Sequence, residues 1–266
     1  MPERVYKQLG NYSASDELMT RQHYSPRTNH FSRRTFLAGS AAATGTVAGC
    51  TDVLQTGSTG ANEHVVLEKP DQYEDLRSAR DDGALQFPIH GDRLPEVTVP
   101  APLTGRDVTT TEFVGERHVL LTFIFTRCSD ACPLLIAPLV HVQASSIENE
   151  FADDVAFLPM TFDPAYDTAE RLAEYGEERG VHFDAGNWWF LRPETEQRAE
   201  DVVAGTFGVN YEFVPEAERE MGNMAWVHSN RLVFANAEGY VERTYTGEPP
   251  NPAAVLEDIE TLRDRW

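Results

Sequence analysis

The chain has 266 residues, of which 41% are hydrophobic and 10% aromatic, and a formal net charge of −21 at pH 7. That apolar content supplies a core of ordinary domain size, while a surface this acidic excludes nucleic acid and anionic lipid head groups as natural partners. Lysine occurs only at Lys7 and Lys69, and the acids are spread along the chain. Such a composition suits very high salt, where screening removes self-repulsion, so a halophilic source is expected; an acidic partner-binding face is the other reading.

Six basic against three acidic side chains make residues 1–49 net +3, which leaves −24 for residues 50–266. Residues 1–30 read as an unstructured leader, with Met19 as an alternative start. Ser32-Arg33-Arg34-Thr35-Phe36-Leu37 then precedes a weakly apolar stretch ending in Val47-Ala48-Gly49-Cys50. Paired arginines before a short apolar run and a small-residue cleavage site have the layout of a twin-arginine export signal. Val-Ala-Gly-Cys resembles a lipobox, whose cysteine is lipidated and becomes the mature N-terminus. Phe36–Gly49 is too short and too rich in Gly and Thr to read as a spanning helix. The expectation is an exported protein held on the extracytoplasmic face of the cell membrane through lipidated Cys50.

Residues 50–84 read as a tether, with Gly57-Ser58-Thr59-Gly60 at its flexible part and a short helix around Asp71–Arg80. The domain is expected over residues 85–266. Val97–Val99 and Thr109–Phe113 read as short strands, His118–Thr126 as the first central strand and Pro133–Phe151 as a helix. Val155–Phe162 is a second buried strand, Thr168–Gly180 a helix ended by glycine, Trp188–Leu191 a third strand and Glu194–Phe207 another helix. Trp226–Ala235 and Tyr240–Thr246 form a hairpin across Asn236-Ala237-Glu238-Gly239, and Pro252–Trp266 is a closing helix with proline in its first turn. This βαβα-ββα order gives an α/β fold with a central mixed sheet flanked by helices, and the succession resembles the thioredoxin fold.

The chemistry is concentrated in Thr126-Arg127-Cys128-Ser129-Asp130-Ala131-Cys132-Pro133, which follows the apolar run Val119–Phe125. A buried strand thus delivers two thiols to the mouth of a helix. Their C-x3-C spacing puts both sulfurs on one side of a first helical turn, where the unpaired N–H groups favour thiolates. Two soft thiolates there can hold a soft metal or close a disulfide; two buried structural cysteines are the plain alternative. Pro138 falls inside the same helix and should kink it.

Cys128-Ser129-Asp130-Ala131-Cys132-Pro133 after Phe123-Ile124-Phe125-Thr126 resembles the signature of the Sco/SenC family. A second block follows the second strand, Thr161-Phe162-Asp163-Pro164-Ala165-Tyr166-Asp167-Thr168, and a third is Trp226-Val227-His228-Ser229. The resemblance covers roughly residues 85–265. It implies a thioredoxin-fold copper chaperone that delivers copper to the binuclear copper centre of a haem–copper oxidase. Cys128, Cys132 and His228 are then the implied copper ligands, and the copper-site subunit of the oxidase is the implied partner, with a thiol reductant as a further partner. Two positions depart from the family pattern: Arg127 follows Thr126, and Val227 precedes the histidine. Two thiolates and an imidazole suit Cu(I), and Cu(II) with one further donor. His228 lies 96 residues beyond Cys132, so only the fold can bring it close.

The other histidines, His64, His90, His118, His141 and His182, read as core or surface residues without a ligand role. Asp163 and Asp167 are hard donors, poorly matched to Cu(I), and read as turn and helix-cap residues, while Asp130 reads as ordering its loop. Two other functions compete with copper delivery: an extracytoplasmic thiol–disulfide oxidoreductase using Cys128 and Cys132 as a redox dithiol, and a thiol peroxidase of thioredoxin fold. Thioredoxin-type reductases place a cis-proline before the strand facing the cysteines. No proline occurs between Pro215 and Pro249, and Val227-His228-Ser229 occupies that place. A metal ligand there favours metal handling over enzymatic turnover. The peroxidase reading needs Thr126 and Arg127 to activate one low-pKa cysteine.

Overall fold

A computed structural model describes residues 63–128, 131–214 and 226–266, all within the compact unit Gly57–Trp266. Arg33, Arg34, Cys50 and Asp130 lie outside the described residues, and so do the expectations placed on them. In chain order the elements are α1 (Tyr73–Asp81), β1 (Thr98–Ala101), β2 (Arg106–Thr109), β3 (His118–Ile124), α2 (Ala131–Glu148), β4 (Val155–Thr161), α3 (Ala169–Arg179), α4 (Glu196–Ala199), β5 (Tyr211–Phe213), β6 (Trp226–His228), β7 (Arg231–Ala235), β8 (Val241–Thr246) and α5 (Pro252–Arg263).

Every side chain of β3 and of β4 is buried, as their unbroken apolar sequences require. The two pair in parallel, from His118 opposite Val155 to Ile124 opposite Thr161. β7 pairs antiparallel on the other side of β3, and β8 follows it antiparallel, giving the order β4-β3-β7-β8. Helix α2 packs on α5 and α3 and on β3 and β4. On β3, Phe123 meets Phe207 at 5.1 Å between ring centres. The expected architecture, a mixed sheet flanked by helices, is what the chain forms.

Several boundaries move, each for a local reason. The segment Trp188–Leu191, expected as a strand, makes only isolated parallel bridges, Phe157 with Trp188 and Met160 with Leu191. Leu191 N–H reaches Pro159 O, but Pro159 has no N–H to return to the segment, so the ladder is interrupted. The expected helix 194–207 is a single α turn, α4, capped by Thr195, followed by a π-helical stretch, Glu200–Ala204, in which Gly205 N–H reaches Glu200 O at 2.9 Å. Helix α2 starts two residues earlier than expected, which puts Cys132 inside its first turn. The small strands pair as a hairpin, Thr98 opposite Thr109 through Ala101 opposite Arg106.

The largest difference is in the expected strand 226–235. It breaks at Ser229-Asn230 into β6 and β7. Ser229 N–H donates to Asn210 O at 2.9 Å, and its hydroxyl accepts from Asn210 N–H at 3.1 Å. These bonds pull β6 off the central sheet and onto β5, with Tyr211 opposite His228.

At the opposite end of the sheet, His118 is 2% exposed and its Nδ1 accepts from Ala237 N–H at 3.0 Å. Burial pushes its pKa from 6.5 down to about 4. Between those values the unfolded chain carries a proton on this ring that the folded chain does not, so stability falls as pH falls through the window. Chemical denaturation should show the wild type losing about 2–3 kcal/mol from this ring between about pH 6.5 and pH 4. His118→Asn, which keeps an acceptor for Ala237, should lose that much less over the same interval; parallel curves for the two proteins would remove His118 as the cause.

Candidate metal centre

The turn leaving β3 is closed by Cys128 N–H donating to Phe125 O at 3.1 Å. One helical turn later Cys132 N–H points at Cys128 Sγ, 3.3 Å away. The thiols are 2% and 0% exposed. The β5–β6 ribbon brings in His228, whose Nε2 lies 3.5 Å from Cys132 Sγ and whose Nδ1 lies 3.3 Å from Ser229 O. With its proton on Nδ1, donated to that carbonyl, the ring presents the Nε2 lone pair to the sulfurs. The three donor atoms all lie within 4.8 Å of one another, and among the described residues this is the group of His, Cys and acidic side chains that could hold a metal ion. Donors about 2.0–2.3 Å from a small metal ion stand at most about 4.6 Å apart, so movements of a few tenths of an ångström would complete a site. Phe125 and Phe162 wall the imidazole, at 5.7 and 5.0 Å between ring centres, and Tyr211 stacks on Phe162 at 4.7 Å.

A buried carboxylate shapes the approach to the first cysteine. Asp167, fully buried, accepts from Thr126 N–H at 3.1 Å, from Thr126 Oγ1 at 2.5 Å and from the Thr161 hydroxyl. It thereby ties the end of β3 to the end of β4. The helix cap expected at Asp167-Thr168 belongs to Thr168, whose hydroxyl accepts from Arg171 N–H at 3.3 Å. Asp163 pairs with Arg127, whose guanidinium also lies 4.1 Å from the Tyr166 ring centre. Among the described residues, neither acid belongs to that group of donors. The role of Asp167 escaped sequence reading because its partner Thr126 is 41 residues away; the available signal was a threonine at the end of each of two otherwise apolar strands.

The helix end is expected to favour thiolates, and the peroxidase reading needs Arg127 to help activate one of them. Burial pushes the Cys132 thiol well above its ordinary value, and the hydrogen bond and charge of Cys128 add to the effect, against a smaller opposing contribution from the Phe125 backbone. Desolvation therefore outweighs the helix end at this position, and Arg127 is committed to Asp163. A buried pair of thiols with an imidazole beside them is then best ionised by a soft cation that replaces the protons. Burial also raises the Asp167 pKa, with the threonine hydrogen bonds working against it.

Of the remaining histidines, His90 is buried with Nε2 at 2.9 Å from Leu67 O, and His64 stacks on Tyr240 at 4.5 Å. His141 and His182 are exposed. None joins the cysteines.

A mixed α/β sheet that presents a dithiol at the end of its central strand, completed by an imidazole, defines a thioredoxin-like domain with a soft-donor site. The SCO1/SenC family model matches residues 102–264, and the chain belongs to the SCO1/SenC family. A SCO1 protein homolog of Bacillus subtilis (strain 168) is 25% identical over 158 residues, covering 59% of this chain and 76% of the relative. The fold is that of a SCO1/SenC family lipoprotein from Bacillus anthracis, with TM-score 0.53 and 22% identity over 68% of this chain and 99% of the other. BsSco, a member of the Sco family of cytochrome c oxidase assembly proteins with a disulfide switch, superposes with TM-score 0.50 and 22% identity over 65% and 95%. Copper-bound yeast Sco1 superposes with TM-score 0.50 and 18% identity over 67% and 91%.

Because Cys128 and Cys132 share one turn, mild oxidation of the metal-free protein should join them in an intramolecular disulfide. Thiol counting with peptide mapping should then find neither residue free; two unreacted thiols after oxidation would mean that the sulfurs cannot meet.

Proposed function

We propose that this protein binds one copper ion through Cys128, Cys132 and His228 and delivers it to the copper-site subunit of a haem–copper oxidase during assembly. The observation that carries the reading is the three-donor group itself: two thiols and an imidazole nitrogen within 4.8 Å of one another. Its donors are soft and few, which suits Cu(I), and the half-buried imidazole is the donor through which a fourth ligand or an acceptor can approach. Family membership and copper-bound yeast Sco1 support the same reading.

The same dithiol supports a second role. Transfer of two electrons and two protons from Cys128 and Cys132 to a disulfide in the acceptor leaves a Cys128–Cys132 disulfide and two reduced acceptor thiols, and an external thiol reductant restores the pair. The disulfide switch of BsSco is the parallel that favours it. The thiol-peroxidase alternative loses ground, because the cation it requires, Arg127, is paired with Asp163 and stacked on Tyr166.

We further infer export through the Arg33-Arg34 signal and attachment to the extracytoplasmic membrane face by lipidated Cys50. Among the described residues no helix is long and apolar enough to cross a membrane.

Anaerobic copper titration of the reduced protein should reach one copper per chain. Loss of either cysteine should lower affinity by at least about a hundredfold, beyond the roughly 10–100-fold typical of losing an outer-shell partner. His228→Ala should weaken Cu(II) more than Cu(I), since two thiolates alone satisfy Cu(I), and the exposed His141→Ala should change neither. Untouched affinities and an untouched Cu(II) spectrum in His228→Ala would move the dithiol-reductase reading ahead.

For export, replacing Arg33 and Arg34 together by lysine should retain the protein in the cytoplasm, read by cell fractionation. Secretion at the wild-type level would sink the twin-arginine assignment.

A further inference from the structure

The segment before α1 is bound to the domain far more closely than a tether needs to be. Glu242 on β8 is fully buried. Its carboxylate accepts from Val66 N–H at 3.0 and 3.1 Å, from Leu67 N–H at 3.0 Å and from Asn236 Nδ2 at 2.6 Å. The same Asn236 amide donates to His64 O at 2.7 Å, and Arg243 donates to Glu68 O at 2.6 Å. Leu67 is 7% exposed and belongs to the main core, while His64 stacks on Tyr240 and pairs with Glu238 at 2.7 Å. A buried carboxylate satisfied by backbone donors is costly to strip of them, so this attachment is strong. None of residues 63–68 lies within the family match, which begins at residue 102.

The position of this attachment matters. Asn236 and Ala237 form the turn at the His118 end of β3, where Ala237 N–H meets His118. Cys128 and His228 lie beyond the other end, past Ile124. The six steps of β3 separate the two poles by about 20 Å. The twelve residues between Cys50 and Glu63 reach at most about 45 Å.

We propose that residues 64–68 are a strap that fixes where the N-terminal tether leaves the domain, at the pole opposite Cys128, Cys132 and His228, so that the strap pole is on average the one nearer the membrane holding Cys50. The orientation rests on the proposed lipid attachment at Cys50; the strap does not. A strap released from Glu242 would lengthen the tether by residues 63–68, up to α1, whose Tyr73 stays buried against His90, and would weaken that bias. With the strap in place, a partner meets the metal pole unobstructed by the tether.

Two measurements on the full lipidated chain, bound to phosphatidylcholine vesicles, test this. Amide hydrogen exchange should find Val66 and Leu67 protected, and Glu242→Ala should speed their exchange at least about tenfold while β3 amides stay unchanged. Val66→Pro, which removes one of the donors, should expose Leu67 in the same way and serves if Glu242→Ala fails to fold. Unprotected amides in the wild type, or unchanged exchange in a folded variant, would overturn the strap. For orientation, a fluorophore is placed at Glu116→Cys, beside the strap pole, or at Leu134→Cys, beside the metal pole, with both native site cysteines changed to serine, on vesicles carrying a headgroup quencher. Quenching should be at least about threefold greater at position 116, and Glu242→Ala should narrow the difference. Equal quenching in the wild type would overturn the orientation. A chain that does not sediment with the vesicles would overturn the Cys50 anchor and the orientation with it, while the exchange result still decides the strap.

Discussion

The metal end of this domain depends on one buried carboxylate. Asp167 receives the backbone N–H and hydroxyl of Thr126, just past the end of β3, and the hydroxyl of Thr161, the last residue of β4. Without that acceptor, the buried Thr161 hydroxyl and the half-buried N–H and hydroxyl of Thr126 would lose their partner, at a cost of about 1–3 kcal/mol for a buried donor left unsatisfied. With it, the chain leaves β3 in a fixed direction, and Cys128 and then α2 follow. The thiols are thus placed by a contact that holds no metal and touches neither sulfur.

The second determinant is where the sheet stops. Had β6 and β7 continued as one strand, His228 would belong to the central ladder. Instead the Ser229–Asn210 bonds divert β6 to β5, and the imidazole comes to stand between Phe125 and Phe162, facing Cys132. The aromatic walls limit how the ring turns, and Ser229 O, 3.3 Å from Nδ1, suits the tautomer that leaves the Nε2 lone pair facing the sulfurs. A soft site is assembled from one strand end, one helix start and one detached ribbon, each held by contacts outside the donor set.

The central strands, the three longer helices and the closing hairpin were legible because each carries a strong periodic or continuous apolar signal with turn residues at its ends. Cys128, Cys132 and His228 were legible as a set only through resemblance to a family, since nothing local joins residues separated by 96 positions. What stayed hidden was non-local. The short β5 has no strand-length pattern and exists because β6 pairs with it. The interruption at Pro159 is written on β4 and appears in the segment beyond it. Asp167 read as a local cap, and Glu242 drew no reading at all, because the N–H groups they receive belong to distant segments. The expectation of thiolates at the helix mouth failed at Cys132 for a related reason: burial is a property of the packed fold, and desolvation outweighed a partial charge that the sequence could show.

With Cys128 and Cys132 only 2% and 0% exposed, reagent size becomes a filter on the thiols. A bare ion needs far less room to reach them than a bulky alkylating agent, for which the β5–β6 ribbon or the first turn of α2 has to swing aside. Alkylation of the metal-free protein is consequently gated by breathing, and its rate is a clock for that motion. The Ser229–Asn210 bonds join the two strands of that ribbon, so weakening them should quicken alkylation.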